Sequence, residues 1–114
     1  MPIDIARFER RAEVIKAMAN AARLVIVEEL SKNEKTVGAL TELVGLDIST
    51  VSRHLLILRH AGIVSCRKIG TRVLYRLRTP CVLNFFDCVE KVLNGEDEPA
   101  DCCSSDSCED STER

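Results

Sequence analysis

Apolar residues recur every three or four positions at Ile5, Phe8, Ala12, Ile15 and Met18, with charged residues between them. That period predicts a first helix with one apolar face. Asn20 suits the N-cap of a second helix, whose inward positions are Leu24, Val25, Val27 and Leu30. The polar run Ser31-Lys32-Asn33-Glu34-Lys35 reads as a loop. Thr36 then caps a short helix to Val44, with Val37, Leu40 and Val44 inward and Gly45 as its stop. Leu46-Asp47 makes the next turn, and Asp47 caps a fourth helix running from about Ile48 to Ala61. Val51, Leu55 and Leu58 fall there at i, i+4 and i+7, the spacing of a buried stripe. Ser49, Thr50, Ser52, Arg53 and His60 lie on the other faces, and Gly62 ends the helix.

The period changes at Ile63. Ile63 to Lys68 and Arg72 to Leu77 are β-rich runs around Ile69-Gly70-Thr71, a hairpin with glycine in its turn. Arg67, Lys68, Arg72 and Arg76 make it strongly basic. Thr79-Pro80 opens a last helix, with Pro80 at its first position. Val82, Phe85, Phe86, Val89, Val92 and Leu93 give that helix a wide apolar surface, and Asn94-Gly95 ends it. The fold class that follows is mainly α with a two-stranded β-wing. Four helices, a basic hairpin and a fifth helix is the order of a winged helix-turn-helix.

A chain of 114 residues makes one domain, expected over residues 1–95, followed by a flexible polar tail over 96–114. With one Tyr, three Phe and no Trp, its core must be aliphatic. No apolar run approaches the roughly 20 residues that span a bilayer. The start lacks a basic and apolar leader, so the expected location is cytoplasmic. The net charge of −2 hides an asymmetry. Residues 1–95 hold 15 Lys and Arg against 10 Asp and Glu, a surplus of five positive charges. The tail holds one Arg against eight acids, a surplus of seven negative charges. A basic body with an acidic tail points to a polyanionic partner for the body.

The chemistry of the fourth helix and hairpin suits double-stranded DNA. Ser49, Thr50, Ser52 and Arg53 offer hydroxyls and a guanidinium to base edges in a major groove, with His54 a fold or DNA-contact residue. Arg67, Lys68 and Arg72 are placed to hold phosphates alongside. No Cys-His dyad, glycine-rich phosphate loop or catalytic carboxylate pair stands out, which argues against an enzyme. The segment LDISTVSRHLLILRHAGIV at Leu46–Val64 resembles the recognition-helix signature of the ArsR/SmtB repressor family. Ile15–Leu24 resembles that family's second-helix entry and Arg67–Leu77 its wing, so the resemblance covers about residues 8–93. It implies a homodimer joined through the first and last helices, bound to operator DNA. The apolar last helix independently suggests such a seam.

Six cysteines in a reducing compartment are not read as a disulfide scaffold. Cys66, Cys81 and Cys88 read as structural, the last two sharing a face at i and i+7. Cys102, Cys103 and Cys108 crowd into seven residues of the tail. Arsenite-sensing members of the family often carry a Cys-Val-Cys-type motif on the helix before the recognition helix. Here Thr36 to Leu40 holds no cysteine. Zinc-sensing members use Asp and His on the last helix, which has no His here. The tail triad suits trivalent arsenic, which takes three soft thiolates in a pyramid, with antimony(III) possible by the same chemistry. Cadmium or lead, and a redox or persulfide switch, are alternatives for the same thiols. Adjacent Cα atoms are about 3.8 Å apart, too close for an ordinary disulfide, so a switch would pair Cys102 or Cys103 with Cys108 or a second subunit.

Overall fold

Side-chain caps set the starts of three helices. Asn20 Oδ1 accepts from the backbone N–H of Ala22 (2.9 Å) and Arg23 (3.2 Å), opening α2 (Ala21–Lys32). Thr36 Oγ1 accepts from the Ala39 N–H (3.2 Å), opening α3 (Val37–Val44). The Asp47 carboxylate accepts from the Thr50 N–H (3.2 Å), opening α4 (Ile48–His60). Each satisfies a donor that the first turn of a helix cannot. The computed structural model describes residues 2–95; Cys102, Cys103, Cys108 and the rest of the expected tail lie outside the described residues. The chain divides after Pro80 into two compact units.

The first unit opens with α1 (Ile5–Met18). It also contains a three-stranded antiparallel sheet in the order β1 (Lys35–Thr36), β3 (Arg72–Leu77), β2 (Val64–Ile69). The hairpin register pairs Val64 with Leu77 and Ile69 with Arg72, closing on Gly70-Thr71, with Gly70 at φ 63°. The expected two-stranded wing therefore gains a third strand, where Lys35 pairs with Tyr75 and Thr36 with Leu74. Two residues are too few to show a period, so this strand was hidden in what reads as a loop.

The core is aliphatic: Ile26, Val27 and Leu30 of α2, Leu40 of α3, and Val51, Leu55 and Leu58 of α4 are buried, with Ile63 and Val64 beneath them. Ala17 and Met18 complete it from the end of α1. The α4 stripe is as its spacing predicts. On α2 the inward face differs: Leu24 and Val25 are exposed and Ile26 is fully buried. Four apolar residues in a row, Leu24 to Val27, leave the phase of that helix undefined by pattern alone. Only the last turn of α1 is buried, and its apolar face at Ile5, Phe8 and Ile15 is exposed.

α4 ends one residue earlier than its pattern suggested, with Ala61 as C-cap. The Gly62 N–H donates to the Arg59 carbonyl (3.0 Å) and the Ile63 N–H to the Leu58 carbonyl (3.0 Å). This is a Schellman stop, and Gly62 takes the left-handed backbone it requires, at φ 85°. The chain then enters β2 with Ile63 packed inward.

The second unit carries α5 (Val82–Asn94). It begins two residues after Pro80, not on it. Cys81 is the N-cap, without a side-chain bond, and its carbonyl accepts from the Asn84 N–H (3.1 Å). None of its residues is buried; Phe85, Val89, Val92 and Leu93 stand exposed, and the Phe85 and Phe86 rings lie 6.5 Å apart. Cys81 and Cys88, which read as structural residues sharing a face, are exposed too, and Cys66 on β2 is half-buried. No helix among the described residues is long and apolar enough to cross a membrane.

Candidate nucleic-acid interface

α4 and the wing are held by the same unit, and the sequence-derived candidates divide into exposed groups and engaged ones. Ser52 and Arg53 are exposed on α4, and Lys68 and Arg72 are exposed beside the hairpin turn. These four present a hydroxyl and three cations to solvent. Arg67 is differently placed. Its Nε (3.2 Å) and Nη2 (2.9 Å) both donate to Glu34 Oε1, fastening β2 to the segment ahead of β1. Arg76 Nε donates to Ser65 Oγ across the hairpin (3.1 Å).

Ser49 and Thr50 both point their hydroxyl hydrogens at Asp47. Thr50 Oγ1 donates to Asp47 Oδ1 (2.7 Å) and Ser49 Oγ donates to Oδ2. These hydroxyls, then the Thr50 N–H, hold the Asp47 carboxyl far below the ordinary carboxylate range, so it stays ionised.

His54 is half-buried, one position before the buried Leu55. Its Nδ1 accepts a hydrogen bond from Arg23 Nε of α2 (3.1 Å). An accepting Nδ1 requires the neutral imidazole with its hydrogen on Nε2. Burial, then the charges of Arg23 and Arg53, hold the imidazole below its ordinary value of 6.5, so the neutral form prevails at neutral pH. Arg23 also donates from Nη1 to the Ala17 carbonyl (3.0 Å), one of the carbonyls left unpaired where α1 ends. One guanidinium therefore joins the end of α1, the start of α2 and the middle of α4.

Sequence reading overlooked Arg23 and Glu34. Arg23 carried a usable signal. It sits in the first turn of α2, where a cation opposes the helix dipole and so needs some other partner. Glu34 carried none, because its partner lies 33 positions away.

Among the described residues no group of three or more His, Cys, Asp or Glu is placed to hold a metal ion. The metalloid-binding candidates, Cys102, Cys103 and Cys108, lie outside those residues.

Comparison with known proteins agrees with this architecture. Residues 20–65, from the α2 cap into β2, match the model of the bacterial regulatory protein, arsR family. The HTH-type transcriptional regulator Rv0081 of Mycobacterium tuberculosis is 34% identical over 87 residues, covering 75% of this chain and 76% of that protein. Solved structures resemble it as well. NolR of Sinorhizobium fredii superimposes with a TM-score of 0.73 at 33% identity, over 81% of this chain and 95% of that one. The homodimeric winged helix-turn-helix DNA-binding domain of Mb0332 from Mycobacterium bovis, described as a possible ArsR-family regulator, gives 0.71 at 33% identity. It covers 83% of this chain and 90% of that one. A capped recognition helix, a Schellman stop, a basic wing and relatives matched along most of their length converge on one assignment: the chain belongs to the arsR family of bacterial transcriptional regulators, with their winged helix-turn-helix fold.

Proposed function

We propose that this regulator binds operator DNA as a homodimer and leaves it when trivalent arsenic, or antimony, is captured by Cys102, Cys103 and Cys108. The reading of DNA is carried by the exposed residues of α4 and the wing. Arg53 is the base-reading cation, and Lys68 and Arg72 hold phosphates. Ser49 and Thr50 have their hydrogens committed to Asp47, so each offers a base only a lone pair. That suits the amino groups of adenine and cytosine. The dimer is supported by the exposed apolar faces of α1 and of α5, and by the homodimeric Mb0332 domain.

The observation that carries the effector is compositional: three thiols within seven residues, on a family scaffold that lacks the usual upstream cysteines. Arsenous acid condenses with three thiols, forming three As–S bonds and releasing three waters, with no redox change. The captured ligand must favour the DNA-free state, since a ligand bound equally in both states shifts nothing.

The test is an arsenite titration of protein bound to a fluorescent DNA selected from a random library. Cys102→Ser, Cys103→Ser and Cys108→Ser are expected to bind that DNA normally and to resist arsenite. Cys66→Ser, Cys81→Ser and Cys88→Ser are expected to release as the unaltered protein does. Arg53→Ala should weaken specific binding by about 1–3 kcal/mol, and Arg72→Ala should weaken all DNA and flatten the salt dependence. A protein ending at Gly95 that still lets go at the same arsenite concentration would overturn the effector assignment. Release by oxidant but not by arsenite would instead assign the thiols to redox sensing.

A further inference from the structure

The contact between Arg23 and His54 joins two residues 31 positions apart and reaches the middle of α4. The packing of Val51, Leu55 and Leu58 holds α4 against the core, but apolar burial has no direction of its own. A hydrogen bond does. Arg23 is itself immobilised, since Asn20 holds its backbone N–H (3.2 Å) and the Ala17 carbonyl takes its Nη1 (3.0 Å). The guanidinium is therefore a fixed fork, built by the α1–α2 junction and aimed at one face of α4.

We propose that Arg23 and neutral His54 form a positioning clasp that sets the recognition helix for DNA, and that protonating His54 opens it and lowers operator affinity. The proposal rests on α4 being the DNA-reading helix, and it makes His54 a positioning residue instead of a base contact.

The chemistry allows no compromise at this contact. Imidazolium carries hydrogens on both nitrogens, so Nδ1 can no longer accept from Arg23 Nε. Two cations then face each other across what was a hydrogen bond, with Arg53 adding a third positive charge from α4 itself. The groove that Arg23 also lines carries Arg10, Glu13 and Lys16 of α1 and His60 of α4. Its cations outnumber the single carboxylate, so the surroundings do little to offset the added charge. Because burial and both arginines disfavour the charged imidazole, the effect sets in below pH 6.5, where the clasp starts to titrate. A shift of α4 by an ångström or two moves its exposed side chains off the base edges, and in a dimer both reading helices are affected.

The opposite sign follows if His54 touches DNA. An imidazolium facing phosphate would strengthen binding as the pH falls. The two roles are thus separated by the direction of the pH profile, which a merely structural contribution to folding would not set.

The experiment measures affinity of the full chain for its selected DNA from about pH 8 to about pH 5.5 at constant ionic strength, with circular dichroism at each point. The unaltered protein is expected to hold its affinity above about pH 7 and to lose it progressively as the pH falls below 6.5. The limit is about tenfold once His54 is fully protonated, the weight of one well-formed hydrogen bond. His54→Asn puts an accepting Oδ1 where Nδ1 stood and does not titrate. It should keep the alkaline affinity and flatten the profile. Arg23→Met should bind about tenfold more weakly at pH 8; if it does not fold, His54→Asn decides alone. His60→Gln should retain the acid loss. Affinity that rises on acidification, or an unchanged acid loss in His54→Asn, overturns the clasp. If Arg53→Ala and Arg72→Ala bind normally, the reading of α4 and the wing fails instead, and the clasp with it. If they bind weakly while the unaltered protein is insensitive to pH, only the clasp fails.

Discussion

Leu58→Ala is expected to lower the free energy of unfolding by about 2–5 kcal/mol, enough to threaten the fold. Leu58 is fully buried and belongs to a core that, among the described residues, holds eleven apolar side chains, none of them aromatic. An aliphatic core of that size has no large ring to slide into the space left by an isobutyl group. The lost side chain therefore leaves a cavity as well as a lost transfer term. Domains of this length are held by about 5–15 kcal/mol in all, so one such change removes a large share. Leu58 also ends the buried stripe of α4 and lends its carbonyl to the Ile63 N–H at the Schellman stop. Softening there reaches both α4 and the entry to the wing. Leu56, two positions earlier and exposed, supplies the control, and Leu56→Ala should stay within about 0.5 kcal/mol. Urea titrations at one fixed protein concentration measure both, since association also contributes to stability. A cost below about 1 kcal/mol for Leu58→Ala would show that α4 is not anchored through this stripe.

Local chemistry was legible in the chain, and contacts between distant segments were not. Asn20, Thr36 and Asp47 could be read as caps because a cap acts within three residues of itself. The stripe of Val51, Leu55 and Leu58 and the stop at Gly62 were legible for the same reason. Reading failed where the pattern was saturated or too short. In α2 the unbroken run Leu24-Val25-Ile26-Val27 fits any phase, and Leu24 and Val25 turned out exposed while Ile26 is buried. In β1, two residues owe their strand to Tyr75 and Leu74 of β3, some 40 positions away. Cys81 and Cys88 read as structural because they share a face, yet spacing does not say what covers that face, and both are exposed. The candidate interface shows the same division. Ser52, Arg53, Lys68 and Arg72 are exposed, as their positions suggested. Arg67 is engaged by Glu34 and His54 by Arg23, over 33 and 31 positions. Although the place of Arg23 in a first helical turn calls for some partner, nothing local in the sequence says which residue either arginine meets.

Val89→Glu should convert the protein from dimer to monomer at micromolar concentration while leaving the single chain folded. The two halves of that expectation come from one observation. Val89 is exposed and no residue of α5 is buried, so a carboxylate at position 89 can reach solvent in the single chain. Val89 nevertheless stands one helical turn after Phe85 and one before Val92 and Leu93, in the middle of an apolar stripe that is open to solvent. Placed in a two-fold seam, the substitution buries two carboxylates in each dimer, because an isologous interface repeats every residue. Burying an unpaired carboxylate costs several kcal/mol, so two exceed what separates a micromolar from a millimolar dimer, about 4 kcal/mol. Sedimentation of both proteins reads the state directly, and circular dichroism confirms that the helices persist. The loss should extend to function. Two recognition helices joined at a fixed spacing bind two half-sites together, and a monomer forfeits that gain in effective concentration. Specific DNA affinity should therefore fall by at least a hundredfold, while the weak non-specific attraction of the basic body persists. A Val89→Glu protein that still sediments as a dimer would remove α5 from the seam and turn attention to the exposed apolar face of α1 at Ile5, Phe8 and Ile15.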